Sequence, residues 1–207
     1  MKKNNITKYI VASAPYLGVL VGMYWFKNAF FALLIYHFII LIYILKKRKH
    51  LNINDLFKIN NKLIFILFSI TCALTGLIIY VLKDFIFTHP MELKTILQAY
   101  GLHQHNIWIF IIYFSTINPV LEELFWRILF NSNNKIISFS DIGYASYHIL
   151  VVLLFIKPEF VLVTYIGLLI AARIWRYIYD KYNDSLTLFI SHALADLSVM
   201  LAVLYLL

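Results

Sequence analysis

The stretch NIWIFIIYFSTINPVLEELFWRILF, residues 106–130, decides what kind of chain this is. It is long and apolar enough for a bilayer crossing, which takes roughly 20 mostly apolar residues of helix. Yet it carries Glu122, Glu123 and Arg127 near its end. Each such charge costs about 2.5–3.5 kcal/mol near a helix centre on insertion scales, and less toward an interface. Three in one span need a reason other than holding a helix in lipid.

The rest of the sequence repeats the apolar theme. Of 207 residues, 62% are hydrophobic and only 14% charged, where an ordinary soluble domain carries about 25% charged. Seven candidate spans follow one another, at 9–26, 29–45, 62–82, 106–130, 142–156, 160–179 and 185–207. The first two should form a tight hairpin around Lys27-Asn28, and the fifth is short for a full crossing. Before Lys27 no convincing cleavage site follows the Lys-rich start, so an uncleaved first span is expected. Between the third and fourth spans, Leu93, Ile96, Leu97 and Tyr100 recur at helical spacing, with Glu92, Lys94 and Gln98 off that face. That pattern predicts a short amphipathic helix on the membrane surface. The expected fold is all-α: a polytopic transmembrane helical bundle of about seven spans. Residues 1–207 read as a single integral membrane domain, with N-terminal spans and interfacial helix in 1–104 and a catalytic core in 105–207. The single cysteine, Cys72, excludes an intramolecular disulfide and a cysteine-based metal cluster.

Cationic residues favour the cytoplasmic side of a membrane protein. With the N-terminus inside, Lys2, Lys3, Lys8, Lys46, Lys47, Arg48, Lys49, Lys58, Lys62, Lys135, Arg173, Arg176 and Lys181 fall inside. Lys27, Lys83, Lys94 and Lys157 fall outside, and Arg127 stands apart. Thirteen against four predicts a cytoplasmic N-terminus and an outside C-terminus. The net charge of +8 then suits an anionic inner leaflet, with no call for nucleic acid.

Helical geometry divides the three buried charges. Glu123 and Arg127 are four residues apart and share a face. Glu122 is turned roughly 100° away, toward Asn118 and Ser115. Pro119 removes a backbone donor and should kink the helix. His148 opens the fifth span within Tyr144-Ala-Ser-Tyr-His148, and His192 opens the seventh, with Asp196 one turn further on. The alternation of spans brings all three polar clusters to a similar depth near the cytoplasmic face. A carboxylate and a neutral imidazole around a pocket can activate water. A second imidazole, oriented by a carboxylate, can donate to a developing oxyanion. Such an assembly suits amide hydrolysis without a covalent intermediate.

Glu-Glu-x-x-x-Arg at 122–127, aromatic-x-x-x-His at 144–148 and His-x-x-x-Asp at 192–196 resemble, in order, the three motifs of one family. It is the CAAX-protease and bacteriocin-processing (CPBP) family, also called ABI, which includes the type II CAAX prenyl endopeptidases. The resemblance covers residues 105–200. It implies a helical bundle with its catalytic cavity open toward the cytoplasm. It further implies that Glu122 and His148 activate water, that Glu123 and Arg127 hold the frame, and that His192 with Asp196 stabilises the oxyanion. Tyr144 stands where Phe is usual, and Asp196 where Asn is often found. Members are described as glutamic peptidases or as metalloproteases. No cofactor is required by the sequence; if a divalent metal such as zinc is used, Glu122, His148 and His192 are its expected ligands. The expected partners are the lipid bilayer and a peptide or membrane-protein substrate.

Other intramembrane protease signatures (His-Glu-x-x-His, Gly-x-Ser, Gly-x-Gly-Asp) are missing from the sequence. His103-Gln-His105 reads as an interfacial pair on the outer side. Cys72 with Gly76, and Gly167 with Ala171, have the spacing of close helix packing. Two other readings compete with a protease. One is a non-catalytic peptide-binding or bacteriocin-immunity membrane protein of the same fold. The other is a proton-coupled transporter, which the absence of acidic residues from the first three spans, with His37 their one histidine, disfavours. Abundant Ile, Asn, Lys and Phe suit an AT-rich bacterial genome and lean away from prenylated substrates.

Overall fold

The computed structural model describes residues 2–88, 93–130 and 136–205, and among these it describes no side chains for 2–6, 50, 53 and 54. Glu92, Lys135 and the last two residues of the seventh expected span lie outside the described residues. The elements are α1 (Lys2–Ala12), α2 (Ala14–Val19), α3 (Ala29–Lys47), α4 (Ile53–Leu56), α5 (Lys62–Ala73), α6 (Thr75–Val81), α7 (Lys83–Ile86), α8 (Leu93–Ala99), α9 (Ile107–Glu123), α10 (Phe139–Val152), α11 (Pro158–Tyr182) and α12 (Ser185–Tyr205). Helices α2 and α9 are each prolonged by a wider π-type segment, Leu20–Trp25 and Leu124–Leu129. Among the described residues there is no strand beyond an isolated bridge between Phe87 and Ile156.

Five of these helices are long and apolar enough to cross a membrane: α3, α5 with α6, α9 with its extension, α11 and α12. Large apolar side chains such as Phe38, Leu63, Ile109 and Leu162 stand exposed around the bundle. Water would penalise that surface at about 25 cal/mol per Å², and lipid does not. The chain is a multi-pass helical membrane protein. Two expected spans are shorter than a crossing. The first is broken at Ser13, whose Oγ donates to the Ile10 carbonyl, and α2 restarts with Pro15 in its first turn, where a missing N–H costs least. The fifth, α10, has 14 residues and begins at Phe139, three residues earlier than its apolar run suggests.

The helix ends follow from local chemistry. The Asn28 and Asn61 side chains accept from the Phe31 and Ile64 amides, capping α3 and α5. Ser138 and Asp141 form a reciprocal capping box on α10. Asn183, left-handed at φ 49°, ends α11. In α8, Leu93 and Leu97 face inward while Lys94 and Gln98 face out, as the expected amphipathic pattern requires.

The loops sort into two ends. At one, the Ala29 amide donates to Tyr100 O, Thr88 N to Phe155 O, Lys157 N to Ile86 O, and the Lys157 ammonium to Asp84 O. The charge count puts all of these connections on one side of the membrane. At the other end, buried Asp184 accepts from the Asn60, Asn61 and Thr187 amides, Lys8 lies over the Phe130 ring and Arg176 reaches Ile136 O. The grouping that charge predicts is the grouping that packing makes.

Small residues set the closest helix approaches. Ser69, Cys72 and Gly76 turn inward, and a Cβ on Gly76 would lie 1.9 Å from Ser198 O of α12. Gly22 meets Ala32 as closely, a Cβ there lying 2.3 Å from the Ala32 Cα, which closes the hairpin around Lys27. The companion expectation is corrected at its glycine: a Cβ on Gly167 meets nothing within 4 Å, so among the described residues no helix packs closely there, although Ala171 is packed against the core. Arg176, counted on the inner side, is also buried, at 1% exposure, and its Nε and Nη2 grip the Asp141 carboxylate at 2.8–3.1 Å. That pair ties α11 to the cap of α10.

Two stability outcomes follow, both readable by thermal unfolding of protein in lipid nanodiscs. Gly76→Leu should cost about 1–3 kcal/mol or prevent assembly, as overpacking does, while Gly167→Leu should be neutral. Arg176→Met should cost about 3–5 kcal/mol by stranding a buried carboxylate, and Asp141→Asn in the same chain should recover part of the loss.

Candidate active site

The site is built where α9 passes into its π-type extension. Positions 115, 118, 119, 122 and 123 of α9 are buried, one face at three- and four-residue spacing. From Glu122 to Arg127 every residue is buried. A regular helix on the rim of a bundle cannot hide six residues in succession; this segment runs through the middle, with α3, α10, α11 and α12 around it. The wider turn, where Phe130 N reaches back five residues to Phe125 O, rotates the chain into that position.

The three sequence clusters meet here. On Glu123, Oε2 lies 3.3 Å from Arg127 Nε, the expected pair, and Oε1 lies 2.8 Å from His192 Nδ1, a contact the spacing gave no sign of. Arg127 also lies over the Tyr144 ring, 4.0 Å from its centroid. Glu123 therefore steadies one cation and one imidazole together. The His192 ring stacks on Trp175 at 4.7 Å, and Trp175 Nε1 donates to Ser191 Oγ. Its free edge, Nε2, faces Tyr144 OH at 3.2 Å, Asp196 Oδ1 at 3.6 Å and Glu122 Oε2 at 3.7 Å.

Glu122 is held differently. The hydroxyls of Tyr36 and Tyr147 both donate to its Oε1, that of Tyr36 at 2.9 Å, while its buried Oε2 has no hydrogen-bond partner. His148 stands one step away: its Nδ1 donates to the Tyr144 carbonyl at 2.8 Å, and its Nε2 lies 3.2 Å from Tyr147 OH. Asn118 shares the Tyr36 hydroxyl and offers its Nδ2 to Asp196 Oδ2 at 3.1 Å. His148 and Asp196 are the partly exposed edge of a centre whose two glutamates are sealed at 0%.

All six candidate residues (Glu122, Glu123, Arg127, His148, His192 and Asp196) thus fall in one connected cluster. The sequence reading missed Tyr36, Tyr147, Asn118 as a ligand of Asp196, and Trp175. Tyr36 and His37 sit in the middle of an otherwise apolar span, and a polar pair at that depth is itself a signal. Two further points concern metals. His103 and His105 have stacked rings 5.6 Å apart on the surface, away from the cluster. Among the described residues, no three His, Cys, Asp or Glu side chains form a group that could hold a metal ion.

Residues 104–198 match the family model described as type II CAAX prenyl endopeptidase Rce1-like. No curated protein and no solved structure matches the chain. The matched segment holds every residue of the three motifs, ordered as the cluster requires and closed around the two glutamates. Over residues 104–198, a little under half of the chain, the sequence is similar to the type II CAAX prenyl endopeptidase Rce1-like family.

Proposed function

We propose that the chain is an intramembrane endopeptidase that cleaves a peptide bond of a membrane-associated peptide or protein with water activated at Glu122. One observation carries this reading: Glu122 is sealed from solvent and anchored through Oε1, while Oε2 is left unpartnered and aimed at His192 Nε2. A buried carboxylate oxygen without a donor is a costly feature unless something that arrives completes it.

In the proposed reaction, Glu122 Oε2 takes a proton from a water that attacks the scissile carbonyl, with His148 at the open edge helping to hold that water. Two tyrosine hydroxyls keep Oε1 occupied, so the base is a single oxygen in a fixed place. The tetrahedral oxyanion needs donors, and the groups facing the gap are the Tyr144 hydroxyl and His192 when its Nε2 carries a proton. Glu123 accepts the Nδ1 proton of that ring, so Nε2 has a proton to give when the imidazole is doubly protonated. Asp196 borders the same gap, held by Asn118. Collapse of the intermediate breaks the C–N bond, and the proton on Glu122 goes to the leaving amine. No step needs a metal ion.

Orientation enters the proposal through charge. The cation-rich end should face the cytoplasm of a bacterial cell, the N-terminus with it, and the site would open toward that side.

The test of catalysis is quantitative terminal proteomics of membranes from cells expressing the wild-type chain or Glu122→Gln. New protein termini should depend on the wild-type chain and vanish with the variant, whose thermal stability should be kept. Identical termini would favour the non-catalytic, peptide-binding or immunity reading. Glu123→Gln should lower thermal stability as well, because Arg127 and His192 both lean on that carboxylate; two variants equally inactive and equally stable would remove the division between base and frame.

The test of orientation is labelling of single cysteines with a membrane-impermeant thiol reagent after Cys72→Ala. Arg48→Cys and Lys58→Cys should react only in opened cells, and Lys94→Cys and Lys157→Cys in intact ones. The reverse pattern would turn the site outward.

A further inference from the structure

His37 lies on α3, outside the segment matched to the family, and the proposed reaction makes no use of it. It is buried at 3% exposure in the middle of a spanning helix. Both ring nitrogens are engaged: Nδ1 lies 2.8 Å from Tyr113 OH and Nε2 lies 3.0 Å from Asn118 Oδ1. Tyr113 and Asn118 are both on α9, so the imidazole bridges two points of the helix that carries the glutamates.

The number of protons sets a direction on this bridge. A carboxamide oxygen has no proton to give, so the nitrogen facing it must donate. His37 Nε2 therefore carries hydrogen, and Nδ1, left as the acceptor, takes the Tyr113 hydroxyl proton. Beyond Asn118 the order continues, since its Nδ2 donates to Asp196 Oδ2 at 3.1 Å. The result is a one-way chain, Tyr113 to His37 to Asn118 to Asp196, ending at the gap beside His192 Nε2.

The same carboxamide oxygen has a second neighbour. The Tyr36 hydroxyl has one proton and two acceptors within reach, Asn118 Oδ1 and Glu122 Oε1. An amide oxygen has two lone pairs, so Asn118 accepts from His37 and from Tyr36 at once. Without His37, the amide would be held on that side by Tyr36 alone and could turn over, presenting its oxygen to Asp196. That change would disturb the catalytic centre through a residue that touches neither substrate nor reacting atoms.

We propose that His37 is a positioning residue of this centre: its Nε2–H fixes the Asn118 carboxamide, and through it the placing of Asp196. This rests on the reading of Glu122 as the base, but its key feature, the His37 tautomer, can be measured without any activity.

Nitrogen-15 NMR of histidine-labelled protein in lipid nanodiscs, with the His37 signal identified by its loss in His37→Gln, should show hydrogen on Nε2 and an unprotonated Nδ1. A proton on Nδ1 overturns the proposal whatever the protein cleaves. The functional arm follows the termini that Glu122→Gln abolishes. His37→Gln, whose amide can still donate to Asn118, should retain most of them, and His37→Phe should slow their appearance by about tenfold, the value of one lost hydrogen bond. Full activity in His37→Phe, or equal loss in both variants with folding intact, would also overturn it. If His37→Phe does not fold, the NMR signature and the His37→Gln rescue decide. If Glu122→Gln leaves every terminus in place, the proposed protease function fails, and the tautomer still tests His37.

Discussion

Two adjacent carboxylates, Glu122 and Glu123, are buried completely inside an apolar bundle, and much of the surrounding structure answers to that. Moving one carboxylate out of water costs several kcal/mol even after the protein relaxes. Neighbours on a helix point about 100° apart, so a single partner cannot serve both. The bundle answers with two different shells. Glu123 receives a cation and an imidazole, Arg127 and His192, and becomes part of the frame. Glu122 receives two neutral hydroxyls at one oxygen and nothing at the other. Unequal compensation of two identical side chains is what gives them different work.

Holding these shells takes helices from both ends of the chain. Tyr36 comes from α3, Tyr144, Tyr147 and His148 from α10, Trp175 from α11, and His192 and Asp196 from α12. The first of these lies outside the matched segment, so the N-terminal helices complete the site as well as supporting it. Two devices let the helices close. Glycines at 22 and 76 let backbones touch where a methyl group would not fit. At one end of the bundle, Arg176 with Asp141 and the buried Asp184 join loops that would otherwise part.

The cluster also shows how an apolar setting sharpens hydrogen bonding. With no water to substitute, a buried donor or acceptor depends on the few partners its neighbours supply, and a hydroxyl with one proton must choose between two oxygens. Directed chains of the kind that runs from Tyr113 to Asp196 arise from that scarcity.

Composition and periodicity alone made this a helical membrane protein, because a chain that is 62% hydrophobic has few other places to bury itself. Spacing alone paired Glu123 with Arg127 and turned Glu122 toward Asn118, since both are properties of one helix. The order of the motifs and the distribution of Lys and Arg told which helix ends lie together. What spacing could not tell was any contact between helices: that Glu123 also holds His192, that Tyr36 and Tyr147 anchor Glu122, or that Arg176 is buried against Asp141. Nor could it tell that Gly167 faces open space while Gly76, in the same kind of pattern, is pressed against Ser198. A helix fixes which residues share a face, but the neighbour that face meets depends on how the spans cross. Only the tertiary structure decided that.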